Sequence, residues 1–168
     1  MFAVSVHTAS KTHEEGCCCP ACSNRYEDLI GKTVRLTLAE AASCWLDRKI
    51  REELKDDGIK VIKPAAGYAS CPDHTLKEDI LKLLGEDVHP HDCHGHSCGC
   101  HKYEGGLGIS LTESYAMTPE ASICGMIFMH HDARYPDIRR ISSEQYEGYA
   151  RKRGMSDDKA RRFLGHLL

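Results

Sequence analysis

The longest regular pattern in this sequence is an apolar repeat that runs through residues 24–55. Apolar side chains recur there at intervals mostly of three or four residues: Ile30, Val34, Leu38, Ala41, Ala42, Trp45, Ile50 and Leu54. This spacing is that of an amphipathic α-helix. The acidic residues 56–57 and Gly58 end the pattern. We therefore expect the fold to be built around one long helix. The surfaces that pack against this helix must come from much shorter segments.

Four of these shorter segments have the pattern of β-strands. Residues 2–6, 59–63 and 107–112 are short apolar stretches that end at polar or turn-forming residues. Residues 122–130 form a longer apolar run, which predicts a strand at the centre of a sheet. Strands mixed with helices in this way predict an α+β fold.

Three short helices are predicted as well. In the first, over residues 75–84, Thr75 and Glu78 have the spacing of a capping box. Ser143 and Ser156 are placed to cap helices over residues 144–152 and 157–167. All of these elements fit one domain over residues 1–168.

Two segments rich in cysteine and histidine, residues 7–23 and 86–106, lack apolar periodicity and are predicted to be insertions. Their thiolates and imidazoles are ligands that suit zinc, and the candidates are Cys19, Cys22, Cys98 and Cys100. The spacing fits no standard zinc finger. Two interpretations therefore stay open, a zinc site and insertions that bind metal only adventitiously.

Composition limits the classes of function. The formal net charge of −3 argues against a nucleic-acid partner, which a basic surface would hold. No apolar run approaches the length of a membrane span, and the first residues lack the features of a signal peptide. A cytoplasmic protein without a membrane partner is expected, with its ten cysteines as thiols or metal ligands.

Residues 63–75 read Lys-Pro-Ala-Ala-Gly-Tyr-Ala-Ser-Cys-Pro-Asp-His-Thr. This segment resembles the Arg-Pro-Ala-Pro-Gly-Tyr-Pro-x-Cys-Pro-x-His-Thr signature of the activation domain of cobalamin-dependent methionine synthases. Residues 111–119 and 145–156 resemble two later blocks of that domain. The resemblance covers nearly the whole chain outside the two insertions. It implies a mixed or antiparallel sheet with flanking helices, and a domain whose N-terminal portion is absent here.

The resemblance implies a binding site for S-adenosylmethionine in a shallow groove. Carried over by position, the site residues are Lys63, Ala65, Gly67, Tyr68, His74, Glu113 and Tyr135. A cation at 63 suits the ligand's carboxylate, and a tyrosine face suits its sulfonium. His74 could instead fix the loop by hydrogen bonding, and Glu113 could lie in water. In the family, the absent N-terminal portion contributes an aspartate to this site.

Three residues depart from the signature. Lys63 keeps the charge of an arginine but lacks its two-pronged fork. Ala66 and Ala69 replace prolines that would stiffen the loop. A weaker affinity than is usual in the family is expected.

The function implied by the resemblance is the reductive methylation of cob(II)alamin with S-adenosylmethionine, which reactivates methionine synthase. The resemblance also implies that a neighbouring domain binds the cobalamin, and the Asp-x-His-x-x-Gly motif of that domain is not present here, since Ser97 stands in place of its glycine. It implies further that a flavodoxin-like protein delivers the electron. The basic residues that could steer this protein, or that could simply form a solvated helical face, are Arg151, Lys152, Arg153, Arg161 and Arg162. The chain is expected to position ligands without a catalytic residue of its own. It therefore acts in a methyltransferase, and in isolation it could be limited to ligand binding.

Two other functions stay open from the sequence. The first is a metal-binding or redox-sensing protein that uses a degenerate activation domain as its scaffold. The second is a non-functional C-terminal fragment.

Overall fold

The computed structural model describes residues 1–7, 25–86 and 106–168. The proposed zinc ligands Cys19, Cys22, Cys98 and Cys100, and almost all of both expected insertions, lie outside these ranges. Within them, the helices are α1 (Arg25–Glu53), α2 (Leu76–Leu83), α3 (Ser143–Lys152) and α4 (Asp157–Leu164). The strands are β1 (Phe2–Ser5), β2 (Lys60–Ile62), β3 (Ser110–Leu111), β4 (Met117–Thr118), β5 (Ser122–Gly125) and β6 (Phe128–His130). The α+β class is therefore confirmed.

The strands pair in three antiparallel ladders. β1 pairs with β5, so that Phe2 lies opposite Gly125. β2 pairs with β6, with Lys60 opposite His130, and β3 pairs with β4. Helix α1 contacts β1, β2 and β5, and α2 contacts β5. The long helix therefore spans two of the ladders and forms one wall beside them.

The prediction of a single central strand over residues 122–130 is wrong. The run divides into β5 and β6 because the chain changes partners at Met126, whose N–H donates to the carbonyl of Pro64 at 3.1 Å. A Cβ at Gly125 would lie 3.0 Å from the Phe2 ring, so the backbones approach closely here. Phe128 in β6 is half exposed. The apolar run identified a strand but not the place where it switches ladders.

The predicted capping box at the start of α2 is also wrong. Thr75 has helical backbone angles, φ −68° and ψ −17°, and its side chain makes no capping hydrogen bond. Its N–H instead donates to the carboxylate of Asp73 at 2.8 Å. The carboxylate of Glu78 accepts from Lys82 at 2.6 Å, one turn further along the helix. An aspartate three residues before the start of α2 therefore takes the place of the expected cap.

The two C-terminal helices begin close to the predicted positions. A capping box forms at α3 between Ser142 and Gln145, one residue before the serine that the sequence favoured. Ser156 caps α4 as predicted, by accepting from the N–H of Lys159 at 3.3 Å.

The core consists of two clusters that meet at Tyr115. The first contains the buried residues Ile80, Leu81, Ile109, Leu111 and Cys124. The second contains Phe163, Leu164 and Leu167. Tyr115 packs against both, and its ring meets that of Phe163 edge to face at 5.1 Å between centroids. Its φ of 60° is unusual for a tyrosine, and the turn between β3 and β4 requires it.

A buried carboxylate joins the segment that carries the signature to the C-terminal helices. Asp73 is 3% exposed and accepts from the hydroxyl of Tyr149 at 2.8 Å. The guanidinium of Arg153 lies 3.8 Å from the same carboxylate and pairs with Asp79 at 2.5 Å. Burial and the hydrogen bond to Asp73 raise the pKa of Tyr149, so its hydroxyl stays protonated and acts as the donor.

In the part of the chain that the structure describes, no helix is long and apolar enough to cross a membrane.

We predict that Tyr149→Phe lowers the free energy of unfolding by about 1–3 kcal/mol, because the buried carboxylate of Asp73 loses a donor. Chemical denaturation at pH 7 measures this change. Tyr146→Phe on the same helix is the matched control, since the hydroxyl of Tyr146 bonds to no described residue. Equal losses in the two variants would contradict the role of the Asp73 contact.

Candidate functional site

A groove of about 900 Å³ lies between α1, the signature segment (residues 63–75) and β5. This volume is in the range of sites that hold small molecules. From the signature segment it is lined by Lys63, Ala65, Ala66, Gly67, Tyr68, Ser70 and His74. From the rest of the chain it is lined by Phe2, Leu36, Ala39, Glu40, Ser43, Lys77, Met117, Glu120, Ala121, Ser122, Ile123, Cys124 and Tyr135. Six of the seven predicted ligand residues therefore share one groove.

The signature segment turns tightly so that its backbone edges the groove. The N–H of Gly67 donates to the carbonyl of Cys71, and the N–H of Cys71 donates to the carbonyl of Tyr68, both at 2.8 Å. Gly67 has a φ of 99°, and any Cβ there would overlap the imidazole of His74. Only glycine allows the turn to close over that ring.

Lys63 connects the two walls of the groove. Its ammonium donates to the carbonyl and the hydroxyl of Ser43 in α1, at 3.0 and 2.9 Å. Its backbone N–H donates to the hydroxyl of Tyr135 at 2.7 Å. The cation expected to meet a ligand carboxylate therefore already holds protein partners, and the Tyr135 ring is fixed at the edge of the groove.

His74 and Lys77 form a second polar pair in the groove. The ammonium of Lys77 donates to the carbonyl of Tyr115 at 2.9 Å and lies 3.3 Å from Nδ1 of His74. Burial, followed by the nearby ammonium, lowers the pKa of His74. Burial also lowers the pKa of Lys77. Since a lysine ammonium only donates, Nδ1 is the acceptor and Nε2 carries the proton of the neutral ring.

The remaining predicted ligand residues differ in position. Tyr68 is 70% exposed and lines the groove, so one face of its ring is free to meet a ligand. Glu113 lies exposed in the turn between β3 and β4 and does not line the groove. Its role as a ligand residue stays a prediction.

Sequence reasoning missed the contributions of α1 and α2. Glu40 and Ser43 line the groove from α1, where the apolar repeat drew attention to a different side of the helix. Lys77 lies three residues after His74, and a turn in which the N–H of Lys77 donates to the carbonyl of His74 at 3.2 Å brings the two side chains together. This three-residue spacing was the signal in the sequence from which Lys77 could have been predicted to lie beside His74.

Two of the three described cysteines give little support to a redox site. Burial raises the pKa of the thiols of Cys71 and Cys124, so both are protonated near neutral pH and poorly reactive. Among residues 1–7, 25–86 and 106–168, no group of three or more His, Cys, Asp or Glu side chains could hold a metal ion.

The fold and the groove together define an α+β domain with an open groove large enough for a small molecule. The sequence profile of the activation domain of vitamin B12-dependent methionine synthase matches residues 1–154. The chain belongs to this family.

A solved relative supports the same assignment. The chain is similar to the crystal structure of the MetH reactivation domain bound to AdoHcy, with a TM-score of 0.68 and 33% sequence identity. The match covers 88% of this chain and 45% of that one. The chain therefore spans less than half the length of the solved structure that it matches.

We predict that His74 makes the protein less stable in mild acid. Its folded pKa lies below 6.5, so the unfolded chain takes up this proton at a higher pH than the folded chain does. The contribution of His74 to stability is complete above pH 6.5 and is lost as the pH falls toward the folded pKa. Denaturation curves between pH 7.5 and about 5 should show a smaller loss of stability for His74→Gln than for the wild type. Identical pH dependence would show that the histidine is not held in its neutral form.

Proposed function

We propose that the groove binds S-adenosylmethionine and presents its methyl group for the reactivation of methionine synthase. The observation that carries this proposal is the convergence of Lys63, Ala65, Tyr68 and Tyr135 on one groove in a chain of the activation-domain family. The AdoHcy bound to the MetH reactivation domain supports a ligand of this chemistry.

The residues of the groove fit such a ligand. The ammonium of Lys63 suits a carboxylate, provided that it exchanges its contact with Ser43 for one with the ligand. The exposed face of Tyr68 suits a sulfonium by cation–π attraction. The small side chains of Ala65 and Gly67 leave peptide groups open to an adenosyl moiety. No side chain is needed as a nucleophile.

Another part of methionine synthase would hold cobalamin, which would supply the chemistry of methyl acceptance. This chain's own residues hold the donor, orient it and surround its charge with fixed partners. The methyltransferase activity thus belongs to the assembly, and the chain acts as its module for binding S-adenosylmethionine.

Calorimetry with S-adenosylmethionine tests the proposal directly. We expect Lys63→Ala to cost about 1.5–3 kcal/mol, roughly ten- to a hundred-fold in affinity, through the loss of a charged hydrogen bond. Lys60→Ala is the matched control, because Lys60 lies exposed on β2 outside the groove. If Lys63→Ala and the wild type bind S-adenosylmethionine equally tightly, the assignment of Lys63 as a ligand residue is wrong.

Two further measurements separate the roles of the groove residues. Ser43→Ala removes one competing partner of the Lys63 ammonium, so binding should stay intact or tighten. Tyr68→Leu should weaken S-adenosylmethionine more than AdoHcy, because only the former carries a sulfonium charge. No measurable binding of either compound by the wild-type chain, alone or with the rest of the activation domain, would refute the proposal.

For the electron donor, we propose an acidic, flavodoxin-like protein that approaches α3 and α4. Arg151, Lys152, Arg161 and Arg162 are exposed on these helices. Arg153 is not available for contact with the electron donor, because its guanidinium pairs with Asp79. The basic surface is therefore smaller than the sequence suggested.

Charge reversal tests this surface. Arg151→Glu together with Arg161→Glu should slow flavodoxin-supported methyl transfer several-fold at low salt and much less at high salt, because steering is screened. Lys60→Glu on β2 is the control. An unchanged salt dependence would exclude the surface as the docking site.

A further inference from the structure

Helix α1 carries an apolar surface on the side that faces away from the groove. We define the outer face of α1 as Ile30, Val34, Leu38, Ala41 and Trp45. Its four large side chains are 45%, 50%, 53% and 61% exposed, in chain order. On the opposite side of the helix, Ala39 and Ser43 are 1% and 3% exposed. The helix is thus buried on one side and carries exposed apolar side chains on the other.

The outer face is continuous and free of charge. At 3.6 residues per turn, its five residues fall on one stripe that runs for about 22 Å. The charged residues between its ends, Lys32, Arg35 and Glu40, lie to the sides or on the groove side. Tyr26 and Leu29 extend the exposed apolar surface toward the start of the helix. A continuous stripe of exposed large apolar side chains normally marks a surface that another part of a protein covers.

We propose that the outer face of α1 is the contact surface for the portion of an activation-domain fold that this chain does not match. The chain accounts for 45% of the solved MetH reactivation domain, so more than half of that polypeptide must pack somewhere outside the matched elements. Within residues 1–7, 25–86 and 106–168, seven of the sixteen exposed large apolar side chains lie on α1. The covering surface is an apolar helix or sheet face of the same fold.

Trp45 provides a direct measurement, because it is the only tryptophan of the chain and lies on the outer face. The 168-residue chain is expressed alone and together with a tryptophan-free variant of the unmatched portion of the MetH reactivation domain. We expect a one-to-one complex by native mass spectrometry. In it, Trp45 emission shifts to shorter wavelength and quenching by iodide decreases several-fold. Neither readout depends on S-adenosylmethionine, so failure here is distinct from failure of the proposed function.

Val34→Glu and Leu38→Glu should each weaken the complex about tenfold or more, because a charge would be buried without a partner. Leu83→Glu is the matched control, since Leu83 on α2 is also exposed, at 69%. Circular dichroism of the isolated variants checks that each one folds. Where co-expression gives no complex, the two portions are joined by a flexible linker and iodide quenching is repeated.

Two results would overturn the proposal. Trp45 that stays fully accessible in the joined protein would show that the unmatched portion packs elsewhere. A dimer of the chain alone that buries Trp45 would show that a second copy is the partner.

Discussion

The carboxylate of Asp73 is the contact on which the rest of the structure depends. It is almost fully buried, and it receives the N–H of Thr75 and the hydroxyl of Tyr149. One oxygen thereby fixes the start of α2, and the other holds α3 against the signature segment. A buried carboxylate without such donors would be strongly unfavourable, so the donors must be in place when the chain folds. Two of the three sequence blocks shared with the family are joined here.

The third block is joined through Tyr115. Its backbone carbonyl accepts from Lys77 in α2, and its ring packs against Phe163 in α4. Much of what the family motifs share is therefore the scaffold that holds the groove in place. The groove itself takes its backbone from the signature segment and its far wall from α1.

The sequence predicted much of this fold because its elements are local. The three-and-four repeat located α1 to within a few residues, and Ser156 marked the start of α4. The division of residues 122–130 could not be predicted from the pattern, because it depends on Pro64 and Phe2, which are remote in sequence. The prediction of a capping box at α2 failed for a different and local reason, because the carboxylate of Asp73 accepts from the N–H of Thr75.

The candidate site was also predictable only in part. The signature segment was recognisable from its amino-acid sequence alone, and the structure places most of its predicted ligand residues along one groove. Ser43 and Lys77 were not predicted, because their positions depend on how α1 and α2 pack. Glu113 matches the family motif, yet it lies in an exposed turn away from the groove lining. Motif position alone does not determine which way a turn faces.

The two hydrogen bonds from the Lys63 ammonium to Ser43 have a kinetic consequence. Under the proposed function, a ligand carboxylate that takes over an N–H now donated to Ser43 would replace an internal partner, so capture of the ligand would include an exchange of partners within the protein. Such an exchange is a first-order step whose rate becomes independent of ligand concentration once the encounter complex is saturated. Because Ser43 belongs to α1, that step would also remove a hydrogen-bonded link between the signature segment and this helix.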